Sequence, residues 1–301
     1  MYLSHFGGEG MNINVGDIVE RASYKYDLLF RVVEIKQDGD EVTAILYGDD
    51  FRLIADAPLS DLRVIIESEY REKGRRSSVQ IDENYKLFKR EALEQKEKRK
   101  FEATNGFRTE VNLFQIPGRV LHIDGDPLYL KKCIEMYNKM GVPVEGIYCK
   151  ERELPSKIGY YLDHYRPDIL VITGHDAYTK AKGLVTDIEA YRHSKFFVEA
   201  VKEARKKVPS LDHLVIFAGA CQSHFEAIIR AGANFASSPT RVNIHALDPV
   251  YVVGKISFTS FMDRVNVYEV VRNTITGEKG LGGIETKGIL RTGLPFQSME
   301  E

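Results

Sequence analysis

The chain has 301 residues, of which 43% are hydrophobic and 29% charged, and its formal net charge is −2 at pH 7. This composition is typical of a globular protein, and its length allows two domains. The small net charge excludes a general electrostatic attraction to nucleic acid or to a membrane surface. No apolar run approaches the roughly 18 residues of a membrane-spanning helix, and we expect no signal peptide.

Cysteine usage points to a reducing compartment. The three cysteines, Cys133, Cys149 and Cys221, form neither a disulfide framework nor a CxxC metal motif. Cys133 and Cys149 lie among apolar positions without a partner motif, and we interpret them as inert core thiols. We expect no bound metal and no cofactor.

The first 66 residues indicate a small β domain. Residues 1–11 lack a basic or apolar run and are interpreted as a disordered or tag-like start. Within 12–66, Asp38-Gly39-Asp40 predicts a hairpin between two β-rich runs. Several short strands in so few residues favour an SH3-like barrel, a module typical of adaptors. The strands are predicted at Ile18–Glu20, Leu28–Ile35, Glu41–Leu46, Phe51–Ile54 and Leu62–Ile66.

Residues 67–112 are dense in lysine, arginine and glutamate, with few apolar positions. Such a pattern predicts an exposed, charged helical linker. An alternative is a cleavable hinge, because Arg75-Arg76-Ser77 is basic and would be accessible in a mobile loop.

Residues 113–301 alternate between β-rich and helical patterns, which predicts an α/β domain with a flavodoxin-like parallel sheet and helices on both faces. The glycine-rich tail Gly280–Pro295 is expected to be irregular. We predict strands at Arg119–Ile123, Val144–Tyr148, Ile169–Thr173, Leu214–Phe217 and Asn234–Ser237, and helices at Leu128–Met140, Leu154–Tyr165, Ile188–Val208, Phe225–Ala231, from Asp248, and at Val267–Asn273.

Two of these strands end at residues that can perform chemistry. The apolar run in DILVITGHD stops at a glycine and is followed by His175. The apolar run in HLVIFAGACQSH also stops at a glycine and is followed by Cys221. A single crossover helix separates the strands, so a right-handed βαβ unit would place their carboxyl ends side by side. Ligands bind at that edge of open α/β sheets. We therefore predict that Cys221 is a nucleophile and His175 its acid/base partner.

Residues beside this pair have predicted supporting roles. Gly219 and Ala220 are small and allow close backbone approach, and a helix predicted to begin at Gln222 would favour the thiolate. Gly174 and Asp176 flank His175, and we expect them to help position the site or its oxyanion. Three serines near the same edge, Ser223, Ser237 and Ser238, are candidates for binding substrate backbone.

The two active-site strands resemble those of the caspase, legumain and gingipain group of cysteine peptidases, which implies a caspase-like sheet. In that group a glycine follows the histidine, and its N–H helps to form the oxyanion hole. Here Gly174 precedes His175 and Asp176 follows it, so the N–H of Cys221 remains as the expected donor.

A closer resemblance extends over nearly the whole chain. Segments such as GRVLHIDGDPLYLKKC, RPDILVITGHDAY and VIFAGACQSHFEAIIRAGANFASSP are similar to the YabG family of sporulation proteases from endospore-forming Firmicutes. The resemblance implies a thiol protease made in the mother-cell cytoplasm and then carried in the spore coat. Its implied substrates are spore coat proteins and germination precursors, cleaved near arginine, with self-processing. A homo-oligomer remains open.

Cleavage near arginine would require an acidic specificity pocket, since a guanidinium pairs best with a carboxylate. Asp176 and Asp187 flank the loop after the third strand of the α/β domain and are the first candidates. Asp248 and Asp263 are later ones.

Three alternatives remain open at this point. Cys221, His175 and His224 could form a zinc site. Asp124 and Asp126 resemble the acidic pair of a receiver domain, although Thr173 stands where the phosphoacceptor should be; these aspartates could also bind a cation, and a helix cap is favoured. A non-catalytic coat scaffold, with a receiver-like domain and the β domain as its binding module, is the alternative from another class.

Overall fold

The structure, a computed structural model, describes residues 13–39, 41–104 and 114–293. Its packing separates two units. The first contains the residues up to Asp50 together with Ile54–Arg76, and the second contains Phe51–Leu53 and the residues from Ser77 onward. Phe51–Leu53 therefore belongs to the second unit, although it lies between two segments of the first along the chain. The predicted start at 1–11 and the Asp40 position of the hairpin lie outside the described residues.

The first unit is a five-stranded antiparallel sheet in the order β4-β3-β2-β1-β5. The predicted hairpin is confirmed, because Asp38 pairs with Glu41 and Gly39 has the positive φ of +63° that a tight hairpin turn requires. Alternate residues such as Phe30 and Val32 are fully buried, which gives the sheet one apolar face. The strands β1 to β5 are Ile18–Arg21, Leu29–Asp38, Glu41–Gly48, Ile54–Pro58 and Leu62–Val64.

Helix α1, Glu67–Thr104, occupies most of the predicted linker. Arg75 and Arg76 are exposed, but they lie inside this helix and not in a loop. From Ser77 onward α1 belongs to the second unit, where Phe88 joins its core. The domain boundaries drawn from the sequence stay predictions. None of the helices formed by the described residues combines the length and apolarity needed to cross a bilayer.

The second unit is built on a six-stranded sheet in the order β13-β11-β10-β9-β7-β8. Its first five strands in the chain are parallel, and β13 is antiparallel to β11. The parallel strands follow the doubly wound order 2-1-3-4-5, whose switch point lies between β7 and β9. The strands of this unit are β6 Phe114–Ile116, β7 Val120–Asp124, β8 Val144–Tyr148, β9 Ile169–Thr173, β10 Val215–Ala218, β11 Phe235–Ser237, β12 Arg264–Val265, β13 Leu281–Gly283, β14 Thr286–Lys287 and β15 Arg291–Gly293.

Helices cover both faces of this sheet, as predicted. Along β9, Ile169 and Val171 face one apolar cluster, with α2, α6 and α7, whereas Leu170 and Ile172 face the other, with α3, α4 and α5. Burial on both faces explains why β9 reads as a continuous apolar run. The helices are α2 Pro127–Met140, α3 Leu154–Tyr165, α4 Ser194–Lys207, α5 Phe225–Arg230, α6 Asp248–Phe258 and α7 Val267–Arg272.

Three sequence-based expectations for this unit are wrong. Over 280–293, the part of the tail that the structure describes, the chain is not irregular, because β13 completes the main sheet and β14 and β15 pair with β12 and β6. Helix α4 begins at Ser194 and not at Ile188, since Ile188–Ala190 forms a separate 3₁₀ turn. Helix α5 has two predicted starts: the start at Phe225 is confirmed, and the start at Gln222 is wrong. Local pattern cannot detect these ends because tertiary partners set them.

The side chain of Asn234, just before β11, hydrogen-bonds to four neighbouring segments of the chain. Its Oδ1 accepts hydrogen bonds from the backbone N of Ile216 (2.9 Å) and from Nη2 of Arg205 (2.8 Å). Its Nδ2 donates to the carbonyl of Leu211 (3.1 Å) and to the hydroxyl of Thr286 (3.2 Å). All four bonding positions of this fully buried amide are used, so its removal would leave several buried groups without partners.

We expect Asn234→Ala to lower the free energy of unfolding by about 2–4 kcal/mol, because buried donors lose their acceptor. Urea unfolding followed by circular dichroism measures this. The matched control is Asn138→Ala, an exposed asparagine of α2 that should change stability by less than about 0.5 kcal/mol. Equal stability of the two variants would contradict the assigned role.

Candidate active site

The predicted nucleophile, Cys221, and its predicted acid/base partner, His175, follow neighbouring strands. β9 and β10 pair in parallel from Ile169 with Val215 to Ile172 with Ala218. His175 follows β9 and Cys221 follows β10, so both lie at the carboxyl edge of the sheet, as predicted. The next strand at this edge is β7, which ends at Asp124 and pairs with β9 on the side away from β10.

Cys221 is fully buried in the turn between β10 and α5. Its Sγ accepts a hydrogen bond from the backbone N of Ile244 (3.1 Å) and lies 3.5 Å from the carbonyl of the same residue. Burial raises the pKa of the Cys221 thiol above its ordinary value. Three residues separate Cys221 from the start of α5 at Phe225, so the expected helix N-terminus does not act on it directly.

The turn before Cys221 requires a glycine. Gly219 has a φ of +110°, a conformation that other residues adopt only with strain. A Cβ there would also lie 3.2 Å from both Ile228 and Ser237. The predicted close approach at Gly219 is therefore real, and it sets the direction in which the chain reaches Ala220 and Cys221.

Two backbone N–H groups converge at this edge. The N–H of Cys221 (3.1 Å) and the N–H of Asp176 (3.3 Å) both donate to the carbonyl oxygen of Arg52. Two donors aimed at one carbonyl oxygen are what an oxyanion hole provides. The sequence analysis named the N–H of Cys221 as the expected donor and Asp176 as a residue that helps to position the site or its oxyanion. Asp176 contributes here through its backbone, which any residue type can supply.

Tyr129 and Asp126 both lie against the ring of His175. Its imidazole stacks on Tyr129 with 5.3 Å between ring centroids and 25° between planes. Its Nε2 lies 3.5 Å from an Asp126 carboxylate oxygen. The predicted helix cap is confirmed, because Asp126 accepts from the backbone N of Leu128 (2.7 Å). The same carboxylate therefore caps α2 and stands beside the imidazole, where it can orient a base.

Glu151 is a buried part of this edge that sequence reasoning missed. Its carboxylate accepts from the backbone N of His175 (2.8 Å) and lies so close to Gly125 and Gly174 that a Cβ at either position would collide with it. Gly174 is thus needed to admit Glu151. Burial raises the pKa of Glu151. Its surface-like sequence context, YCKERE, contained no signal for this placement.

Asp176 ties three loops together. Its Oδ1 accepts from the backbone N of Ala177 (2.9 Å) and of His193 (2.8 Å). Its Oδ2 accepts from the hydroxyls of Ser194 (2.5 Å) and Ser223 (2.9 Å). Burial raises the pKa of Asp176, and these hydrogen bonds oppose that rise. Four donors occupy a carboxylate that the sequence placed in a specificity pocket.

The other carboxylates proposed for specificity lie in different settings. Asp187 is exposed and caps a 3₁₀ turn through the N–H of Glu189 (3.0 Å). Asp248 is buried and accepts from the backbone N of His245 (3.0 Å). Asp263 is half-buried in the turn that follows α6.

The three predicted serines are buried at the same edge. Ser223 donates to Asp176 and accepts from the backbone N of Ala220 (2.9 Å), which closes the Cys221 turn. Ser238 has a φ of +66° and donates to the carbonyl of Val242 (2.6 Å). Ser237 ends β11, and its side chain approaches the Gly219 position.

The zinc alternative finds no support in the geometry. Among the residues that the structure describes, the one group with metal-ligand spacing is His122, Asp124 and Cys133, not Cys221 with His175 and His224. His224 instead caps α5, accepting from Ala227 N at 3.4 Å.

The group formed by His122, Asp124 and Cys133 already surrounds a cation. Nη1 of Arg52 lies 2.7 Å from Asp124, and Nη2 lies 3.4 Å from the sulfur of Cys133. Thr173 donates to the same Asp124 oxygen (2.9 Å). A metal ion here would stand directly against a guanidinium, so these residues do not fit one.

The fold and the edge residues define an α/β protein of the kind in which ligand sites and active sites lie at the carboxyl ends of the strands. A family model described as YabG peptidase U57 matches residues 14–295. The chain is 56% identical over 290 residues to the sporulation-specific protease YabG of Bacillus subtilis strain 168, an alignment that covers 96% of this chain and 100% of the relative. No solved structure matches. The chain belongs to the YabG peptidase family, U57.

Asp176 and Asp187, which the sequence treats alike, should differ sharply in stability measurements. We expect Asp176→Ala to lower the free energy of unfolding by about 3 kcal/mol or more, because four buried donors lose one acceptor group. Asp187→Ala, the matched control, loses one exposed cap and should cost less than about 1 kcal/mol. Thermal unfolding of both variants tests this, and similar melting temperatures would disprove the structural role of Asp176.

Proposed function

We propose that this protein is a cysteine endopeptidase in which Cys221 is the nucleophile and His175 the general acid and base. The observation that carries the proposal is the pair of N–H groups, from Cys221 and Asp176, that bind one peptide carbonyl oxygen beside the Cys221 turn. Membership of a peptidase family supports the reaction class. The neighbouring strand ends of β9 and β10 support the pairing of thiol and imidazole.

The proposed reaction follows from these groups. The Cys221 thiol gives its proton to His175, and its sulfur bonds to the scissile carbonyl carbon while the carbonyl oxygen takes negative charge between the two N–H donors. The bond from carbon to nitrogen then breaks, and His175 returns the proton to the leaving amine. Water, deprotonated by His175, hydrolyses the thioester and restores the thiol. Asp126, 3.5 Å from Nε2, stabilises the imidazolium in between.

The biological setting is proposed from the relative. The Bacillus subtilis protein is named a sporulation-specific protease, and we propose that this chain acts in sporulation, in the mother-cell cytoplasm and then in the spore coat. Its proposed substrates are spore coat proteins and germination precursors, cleaved near arginine, and the chain itself. Nucleic acid and membrane are not proposed as partners, and self-association remains a candidate property.

Two fold assignments belong to this proposal, one for each unit. The order β4-β3-β2-β1-β5 of the first unit suits an SH3-like barrel, which we propose as a module for binding protein partners. The histidine and cysteine after adjacent strands suit a caspase-like catalytic domain.

The alternative is a coat scaffold with a receiver-like α/β domain. The strand order 2-1-3-4-5 and the acidic residues Asp124 and Asp126 favour it in outline. Thr173 replaces the phosphoacceptor, however, and its hydroxyl is bonded to Asp124. We therefore prefer the peptidase.

Proteolysis should depend on Cys221 and His175 and on no other cysteine. We expect Cys221→Ala and His175→Ala to lower the cleavage rate of an arginine-containing coat-protein fragment at least about 100-fold. The matched control is Cys149→Ala, a buried cysteine after β8 at the same edge, which should retain most of the activity. Mass spectrometry of the products also reports the residue at the cleavage site.

Either of two results would count against the proposal. Wild-type activity in Cys221→Ala would place the nucleophile elsewhere. Absence of cleavage by the wild type and also by Arg52→Ala, a variant that alters the segment seated at the two N–H donors, would favour the scaffold.

A further inference from the structure

Arg52 is an arginine with no exposed surface at the carboxyl edge of the sheet. Its Nη1 pairs with Asp124 at 2.7 Å, and its Nε (3.2 Å) and Nη2 (3.0 Å) both donate to the carbonyl of Ala246. Nη2 also lies 3.4 Å from the sulfur of Cys133. A charge is buried this completely only when it is paired and hydrogen-bonded. The surrounding groups therefore match a guanidinium and bond to it on two sides.

The carboxylate of Asp124 is ionised and oriented toward that guanidinium. Burial alone would raise its pKa, but Arg52 and the hydrogen bonds around the carboxylate bring the pKa below its ordinary value. Oδ2 accepts from Thr173 (2.9 Å) and lies 3.3 Å from Nε2 of His122, while Oδ1 accepts from the backbone N of Asp126 (2.9 Å). These contacts fix the orientation of an ionised carboxylate.

The backbone around Arg52 lies in the candidate active site in the manner of a bound peptide. Its carbonyl oxygen occupies the position between the N–H groups of Cys221 and Asp176, and its N–H donates to the carbonyl of Ile244 (3.2 Å). Phe51 bridges to His245 in antiparallel fashion, which continues this pairing. Peptides that add to an exposed edge are recognised in this way, with main-chain hydrogen bonds and a side-chain pocket.

The place that Arg52 fills is where this fold binds ligands. The switch point of the strand order lies between β7 and β9, and a ligand is expected outside their carboxyl ends. Asp124 ends β7 and Thr173 ends β9, and the guanidinium of Arg52 bonds to the Asp124 oxygen that also accepts from Thr173. One segment of the chain thus fills the ligand crevice and the carbonyl-binding position together.

We propose that Asp124 is the residue that recognises arginine in a substrate, and that Phe51–Leu53 is an internal blocking ligand whose Arg52 fills this arginine subsite in the described state. The proposal rests on the proposed peptidase function. It assigns specificity to Asp124, because the carboxylate of Asp176 is saturated by internal donors and that of Asp187 is exposed on a 3₁₀ turn.

The geometry also selects arginine over lysine. Nη1 bonds to Asp124 while Nε and Nη2 bond to the carbonyl of Ala246, so two separate edges of the planar guanidinium are used. An ammonium group can place its charge near Asp124, but it cannot make both sets of bonds at once.

Occupation by Arg52 also explains why the Cys221 thiol is closed off. Cys221 has no exposed surface and a raised pKa, which describes a resting thiol and not a thiolate ready for attack. The N–H of Leu53 donates to the carbonyl of Phe51 (2.7 Å), so a γ-turn bends the chain at Arg52. The segment must leave before a substrate arginine can enter.

The first experiment measures how fast Cys221 reacts with a peptidyl-arginine acyloxymethyl ketone, a covalent probe that carries arginine at the recognised position. We expect full-length Arg52→Ala to be labelled about 10-fold faster or more than the wild type, because the subsite is vacated. The control is Arg21→Gln, which removes an arginine paired with Asp61 in the first unit and should be labelled at the wild-type rate. A folded Arg52→Ala that reacts no faster than the wild type overturns the blocking role.

A second comparison tests Asp124. In the Arg52→Ala background, Asp124→Asn should lower labelling by the arginyl probe about 10-fold or more and leave labelling by a norleucyl probe within about 3-fold, since only a charge-assisted contact is removed. An unchanged preference for the arginyl probe overturns the assignment of Asp124, and a preference lost in Asp176→Asn instead would assign that residue.

A third variant covers the case in which Arg52→Ala fails to fold with Asp124 left unpaired. Arg52→Ala/Asp124→Ala removes the whole ion pair, which buried sites tolerate better than the loss of one partner. Its Cys221 should react with iodoacetamide about 10-fold faster or more than that of the wild type, and an equal rate overturns the blocking role.

These outcomes are separable from failure of the proposed function. If Cys221→Ala still cleaves protein substrates, the peptidase assignment fails at its nucleophile. If cleavage requires Cys221 but Arg52→Ala and Asp124→Asn leave labelling rate and arginine preference unchanged, the peptidase assignment stands and this inference fails.

Discussion

The buried ion pair between Arg52 and Asp124 organises the carboxyl edge of the main sheet. An isolated charge at this depth would be highly unfavourable, so each partner is stable there only with the other and with surrounding hydrogen bonds. The pair joins a carboxylate at the end of β7 to a segment that lies far from it in the sequence. The backbone of the same arginine then contacts the turns that carry His175 and Cys221.

Two further buried carboxylates hold those turns in place. Asp176 joins the loop after β9 to the start of α4 and to the Cys221 turn. Glu151 fills the space left by Gly125 and Gly174 and binds the backbone of His175. Acidic residues at this edge thus position backbone groups, while Asp126 stands directly beside the imidazole. A geometry this constrained suits a site that must orient N–H donors before any substrate arrives.

Sequence reasoning located the strand ends correctly because each buried parallel strand is a continuous apolar run. It paired the ends of β9 and β10 correctly because a single crossover has a fixed hand. It did not detect Glu151 or the burial of Arg52. Glu151 lies in a polar, surface-like segment, and Arg52 is a charged residue within a short apolar run, where exposure is the usual expectation. Their partners, His175 and Asp124, are distant in the chain. The tail was misjudged for a similar reason, since β13 is a strand only because β11 offers it an edge.

The sequence by itself therefore determined the alternation of strands and helices, the strand ends that carry histidine and cysteine, and the charged helix that follows the first sheet along the chain. These features follow from local periodicity and from the types of the residues. Only the tertiary structure decided which acidic side chain meets which base. Electrostatic and hydrogen-bonding partners are selected by proximity in space, and that proximity is created by the folding of segments whose own composition does not reveal it.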